Sequence, residues 1–192
     1  MDLLDITGDA FRESSQLLVR ALPVLDKLLV KLAEETASRM IVGGKAVFCG
    51  NGGSAADSQH IATEFVVKLK DDRAPLPAIA LTTNTSVLTA AANDYSYDDV
   101  FSRQIKALCG VNDLVVAIST SGNSANVINA LLKARDMKIL TAAFLGGDGG
   151  TAARHADIPI IVPSYSPMRV QEVHITMGHI LVELVENLIF KK

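Results

Sequence analysis

Cysteine is scarce: Cys49 and Cys109 are the only two among 192 residues. Two thiols build neither a disulfide framework nor a zinc-ligand quartet. Net charge is also small, with 18 Lys and Arg against 21 Asp and Glu, a balance of −3. A protein that binds nucleic acid by neutralising phosphates needs a basic surplus, so that class is excluded. No run of about 18 uncharged apolar residues occurs, and no membrane-spanning helix is expected. The acidic start Met1-Asp2-Leu3-Leu4-Asp5 lacks the basic region of a secretory signal. A cytoplasmic protein without a nucleic-acid or membrane partner is the expectation. Disorder is excluded in turn, because 49% of positions are hydrophobic and 20% charged. Such a chain can bury the core of one α/β domain.

Residues 9–42 carry Leu17, Leu18, Ala21, Leu22, Leu25, Leu28, Leu29, Leu32 and Ala33 at helical spacing. Pro23 either starts a second helix or kinks a single long one. The segment has more apolar surface than a small sheet covers, so residues 1–42 read as a helical extension for subunit contacts. After Gly43-Gly44 the period changes. Five short apolar runs follow: Lys45–Cys49, Ala78–Leu81, Leu114–Ile118, Ile139–Leu145 and Ile158–Val162. Helical patterns separate most of them, notably Ser54–Val67, Ser124–Ala134 and Val170–Phe190. Buried strands alternating with helices predict parallel βαβ units in a three-layer α/β sandwich. With no repeat or linker, the chain reads as a single domain over 1–192, its α/β core over 43–192.

The first strand runs into Gly50-Asn51-Gly52-Gly53-Ser54, and a helix follows. Glycines admit a ligand close to the backbone, and a helix N-terminus offers free N–H groups to an anion. The same residues fit the loose dinucleotide pattern G-x-G-x-x-A, ending at Ala55. That reading needs a carboxylate after the second strand, where Leu81-Thr82-Thr83 stand instead. A P-loop is excluded because no Lys-Ser/Thr pair follows the glycines. The third strand runs into Ser119-Thr120-Ser121-Gly122-Asn123-Ser124, where four of six residues carry hydroxyls. Ser124 alone reads as an N-cap. In a doubly wound sheet of order 2-1-3-4-5, the order expected here, both loops flank the topological switch point. They would face one crevice. Without a basic cluster, that crevice suits a sugar phosphate held by hydroxyls and amides.

The four histidines are His60, His155, His174 and His179. His60 and Glu64 lie i, i+4 on the helix launched by the first loop, so they share a face. Such a pair can ligate one metal or serve one substrate as acid and base, or it can be an ordinary surface pair. On the last helix, Gln171 and His179 differ by about 80° and Gln171 and His174 by about 60°. Either histidine could join Gln171 in a ligand pair, and His174 reads equally as structural. His155 reads as a solvated loop residue, Cys49 as a small buried filler and Cys109 as an incidental thiol.

Cys49-Gly50-Asn51-Gly52-Gly53-Ser54, Ser119-Thr120-Ser121-Gly122-Asn123-Ser124 and Arg169-Val170-Gln171-Glu172 together resemble the sugar isomerase (SIS) domain family, and within it the phosphoheptose isomerases. The likeness extends over essentially the whole chain, including Asn93-Asp94 and Phe101-Ser102-Arg103. It implies a five-stranded parallel sheet between helices, and a homotetramer with active sites where subunits meet. The implied reaction converts D-sedoheptulose 7-phosphate into D-glycero-D-manno-heptose 7-phosphate, toward ADP-heptose for lipopolysaccharide cores. The resemblance places one zinc ion per subunit on His60, Glu64, Gln171 and His179. Substrate contacts fall on Asn51, Gly52, Gly53, Ser54, Glu64, Asn93, Asp94, Ser119, Thr120, Ser121, Ser124 and Gln171.

Aldose–ketose exchange through an enediol needs a base for a carbon-bound proton and an acid for the oxygens. Glu64 is expected as base and His179 as acid. Two positions depart from the family's habit: Lys68 stands where arginine is common, and Met168 where some members have aspartate. Related SIS proteins without catalysis form tetramers that bind a replication initiator, and this is the competing expectation. That branch tends to lack the carboxylate and the final histidine, both present here.

Overall fold

Asp2 accepts a hydrogen bond from the Leu4 amide and opens α1, which runs 39 residues from Leu3 to Ile41 in the computed structural model. The structure describes residues 2–190, so Met1, Lys191 and Lys192 of the expected 1–192 domain lie outside the described residues. Pro23 neither breaks α1 nor starts a second helix. The carbonyl that loses its partner belongs to Val19, a residue 73% exposed, where water can replace the missing donor. From Leu17 onward α1 buries every third or fourth residue, including Leu25, Leu29 and Leu32. Its first turns leave Leu3, Leu4 and Phe11 in solvent.

The strands are β1 (Ala46–Gly50), β2 (Ala78–Ala80), β3 (Leu114–Ser119), β4 (Leu140–Gly146) and β5 (Ile158–Val162). They form one parallel sheet in the order β2-β1-β3-β4-β5. The helices after α1 are α2 (Gly53–Val66), α3 (Thr85–Asp94), α4 (Val100–Leu108), α5 (Ala125–Asp136) and α6 (Pro167–Phe190). Both faces of the sheet are covered, which is why the strands read as unbroken apolar runs. Ala46, Phe48, Leu114, Val116 and Ile118 point into a core shared with α1, α2 and α6. Val47, Cys49, Val115 and Ala117 alternate into the opposite core, under α4 and α5. Burial pushes the Cys49 thiol up to about 12, as befits a filler.

Two helices have no counterpart in the sequence reading. The ten residues of α3 bury only Ala91, and the nine of α4 pass too quickly to establish a period. By length and composition α6 could cross a membrane. It is instead a core helix: Val170, Val173, Met177, Leu181 and Val185 are buried against the sheet, α1 and α2.

Candidate active site

The turn from β1 to α2 is made possible by Gly52, whose φ of +55° suits glycine. No side chain caps α2, so its first amides stay open to an anion. A side chain at Gly53 would have to push the Gln171 amide aside. A Cβ there would stand 1.9 Å from Nε2 of Gln171, because the Gln171 side chain reaches from α6 onto this loop. Ser54 is buried in the first turn of α2.

The second loop is drawn tight by Gly122, at φ +65°, whose Cβ position lies 2.1 Å from the Gly149 carbonyl. Ser119 Oγ accepts from the Gly122 amide at 3.1 Å and lies 3.4 Å from Ser124 Oγ. Ser124 occupies the N-cap position of α5 but makes no side-chain capping bond, which frees its hydroxyl for other work. Ser121 is exposed and accepts from the Asn123 amide at 3.2 Å, and Thr120 is half-buried between them. Asn126, buried in the first turn of α5, joins the loops. Its amide exchanges hydrogen bonds with the Asn51 amide at 2.8 and 2.9 Å, and the Tyr97 hydroxyl donates to Asn51 Oδ1 at 3.1 Å. The Asn51 side chain is thus engaged within the protein.

Asn93 and Asp94 close α3, where Asn93 donates to Asp94 Oδ1 at 2.8 Å. Asp94 borders a cleft of about 690 Å³ with Thr83, Asn84, Tyr95 and Arg103. Neither side chain hydrogen-bonds to the two loops among the described residues.

Across α2 and α6, His60 Nε2 and His179 Nε2 stand 2.9 Å apart with their rings edge to face. Glu64 Oε1 lies 3.5 Å from His60 Nε2. With Gln171 resting on Gly53, the imidazole–carboxylate cluster and the glycine loop share α2 and α6 as walls. His174, left open by helix geometry, is structural. It is fully buried, its Nε2 donates to the Leu145 carbonyl at 3.1 Å, and burial lowers its pKa to about 4. His155 is half-buried at the end of a short 3-10 turn over Ala152–Arg154. Lys68 and Met168 are both exposed.

Asp57, Tyr97 and Asn126 escaped the sequence reading. Asp57 lies one turn before His60, and burial raises its carboxyl to about 6 against the opposing pull of His60. Its Oδ2 has no hydrogen-bond partner among the described residues. The i, i+3 spacing to His60 was the available signal for Asp57. Tyr97 and Asn126 had none.

His60, Glu64, Gln171 and His179 supply two imidazoles, a carboxylate and an amide, a donor set that zinc accepts. No three His, Cys, Asp or Glu side chains among the described residues stand ready to hold a metal ion. The two imidazoles are bonded to each other instead, through a proton on one Nε2 that a metal would displace. The set fits zinc in its chemistry, and binding requires the rings to part.

Residues 11–146 match the SIS domain family model. The phosphoheptose isomerase of Aquifex aeolicus is 47% identical over 99% of this chain and 100% of its own. That of Clostridium acetobutylicum is 55% identical over 78% of this chain and 76% of its own. The chain belongs to the phosphoheptose isomerases of the SIS domain family. Among solved structures, the Neisseria gonorrhoeae phosphoheptose isomerase superposes with a TM-score of 0.92 at 40% identity, covering 97% of this chain and 100% of that one. The Francisella tularensis phosphoheptose isomerase gives 0.94 at 32% identity with the same coverage. Membership in this family makes the chain a sugar-phosphate isomerase, and these likenesses favour the enzyme over the initiator-binding tetramer.

Proposed function

We propose that this isomerase interconverts D-sedoheptulose 7-phosphate and D-glycero-D-manno-heptose 7-phosphate, on the way to ADP-heptose for lipopolysaccharide cores. The observation that carries the reading is the contact of His179 with His60, one turn from Glu64, beside two phosphate-type loops. The open amides of α2 and the hydroxyls of Ser119, Thr120 and Ser124 hold the 7-phosphate, which leaves the other end of the sugar at the helix pair. Ser54, Ser121, Asn93 and Asp94 complete the polar surround.

Glu64 takes a proton from C1 of the open-chain ketose while His179 protonates O2, which yields the enediol. Loss of the proton from O1 and delivery of a proton to C2 then leave the aldehyde at C1. Each proton transfer contributes about 10²–10⁴-fold. Zinc, held by His60, Glu64, Gln171 and His179, would polarise the carbonyl and stabilise negative charge on the enediol oxygens. Ligand and proton-transfer roles would compete at Glu64 and at His179, so either zinc would be held weakly or these side chains would change role when substrate binds. The protein acts as a cytoplasmic homotetramer with active sites at subunit contacts, a reading supported by the exposed Leu3, Leu4, Phe11, Val19 and Leu22 of α1.

Proton NMR of the purified protein with sedoheptulose 7-phosphate in deuterated water tests the reaction. The aldoheptose phosphate is expected to appear with deuterium at C2. No conversion, with zinc supplied and the assembly intact, would overturn the proposal.

A further inference from the structure

One guanidinium ties together the two helices that carry the proposed proton-transfer groups. Arg73 follows α2, and its side chain is only 6% exposed. Its Nη2 donates to the Glu64 carbonyl at 2.8 Å, and its Nη1 donates to the Phe65 carbonyl at 2.7 Å. These carbonyls of the last turn of α2 lack helical partners, and Arg73 serves as a C-terminal cap, sharing the Phe65 carbonyl with the Leu76 amide at 3.0 Å. Its Nε donates to Glu186 Oε1 at 2.7 Å, and Glu186 is itself buried on α6. The Leu69 amide adds a second donor to that oxygen at 3.3 Å. Glu186 follows His179 by seven residues, about two turns, and therefore shares its face of α6.

We propose that Arg73, with Glu186, is a positioning residue for the isomerase. It fixes the backbone of Glu64 relative to the helix of His179. The proposal rests on reading Glu64 and His179 as the acid–base pair. A planar fork with several fixed donors allows neither helix to slide, whereas lysine is a single point charge and cannot meet both carbonyls and the carboxylate. Proton transfer tolerates little misplacement, with about 1 Å costing about 10²-fold. The phosphate loops meet the N-terminal ends of α2 and α5, whereas Arg73 holds the opposite, C-terminal end of α2.

Arg73→Lys and Glu186→Gln test it. Both are expected to stay folded by circular dichroism, with kcat down about 10- to 100-fold and KM within about twofold. The ring ¹⁵N shifts of His60 and His179, which report the partners of each ring nitrogen, should move in both variants. A merely stabilising role would leave those shifts and the kcat of the folded fraction unchanged, and that result overturns the proposal. If Arg73→Lys fails to fold, Glu186→Gln decides, because it keeps the bonds from Arg73 to the α2 carbonyls. If the wild type does not isomerise the heptose phosphate, the proposed reaction fails, and the imidazole shifts alone judge the clamp.

Discussion

The side-chain amides of Asn51 and Asn126 bond to each other twice, at 2.8 and 2.9 Å, and so lock the glycine loop to the first turn of α5. Truncating one partner strands the other amide in a site where Asn126 is only 2% exposed. Such a loss costs about 1–3 kcal/mol. Asn126→Ala is therefore expected to raise KM for the sugar phosphate about tenfold while kcat stays within about threefold. Steady-state kinetics check this, and a loss confined to kcat would contradict it.

Glu64 supplies the proposed base, and Glu64→Gln keeps its shape without its basicity. Turnover should fall by about 10²–10⁴-fold. Affinity for the substrate phosphate should largely persist, since the loops that hold it are untouched. Titration calorimetry with the sugar phosphate, beside turnover, separates the two, and an unchanged turnover rate rejects the assignment.

Gly53 lies directly under the Gln171 side chain, and a Cβ at this position would stand 1.9 Å from Nε2. Gly53→Ala must push the amide away from the loop. We expect activity to fall at least tenfold, an effect of the size usual for groups that orient a metal or substrate. Zinc affinity should weaken in the same variant. Gln171→Ala in the same background should then cost little more, because the amide is already displaced. Additive losses would show that the two act separately.

His174 makes stability depend on pH. Burial lowers its pKa to about 4 in the fold, below the ordinary value of 6.5. The unfolded chain then takes up the proton first as pH falls, so stability rises with pH across this window. The contribution is complete above about pH 6.5 and is lost toward pH 4, at up to about 1.4 kcal/mol per unit. Tm should decline over that range in the wild type. In His174→Gln, whose amide can still donate toward the Leu145 carbonyl, the decline should be shallower. Parallel curves would exclude His174 as the responsible group.

The five strands are legible in the chain because both faces of the sheet are buried, which leaves runs such as Leu114–Ile118 apolar throughout. The loops at Gly50 and Ser119 are legible because tight turns into helices demand glycine and small polar residues. The short α3 and α4 are not: α3 buries only Ala91, and α4, though it buries five of its nine residues, spans too few turns to establish a period. Local spacing also left His174 and His179 equivalent. Packing separates them: one ring is spent on the Leu145 carbonyl inside the core, and the other meets His60 across two helices.

Asn126, Tyr97 and Arg73 acquire their roles from partners 75, 46 and 113 residues away. Periodicity and turn chemistry act over a few residues, so the sequence by itself determined the strands, the longer helices, their alternation and the phosphate-type loops. Which side chains meet was decided only when the order β2-β1-β3-β4-β5 set the loops side by side and α6 was seated against α2. Contacts across such separations depend on close packing of the whole domain, which no local pattern encodes.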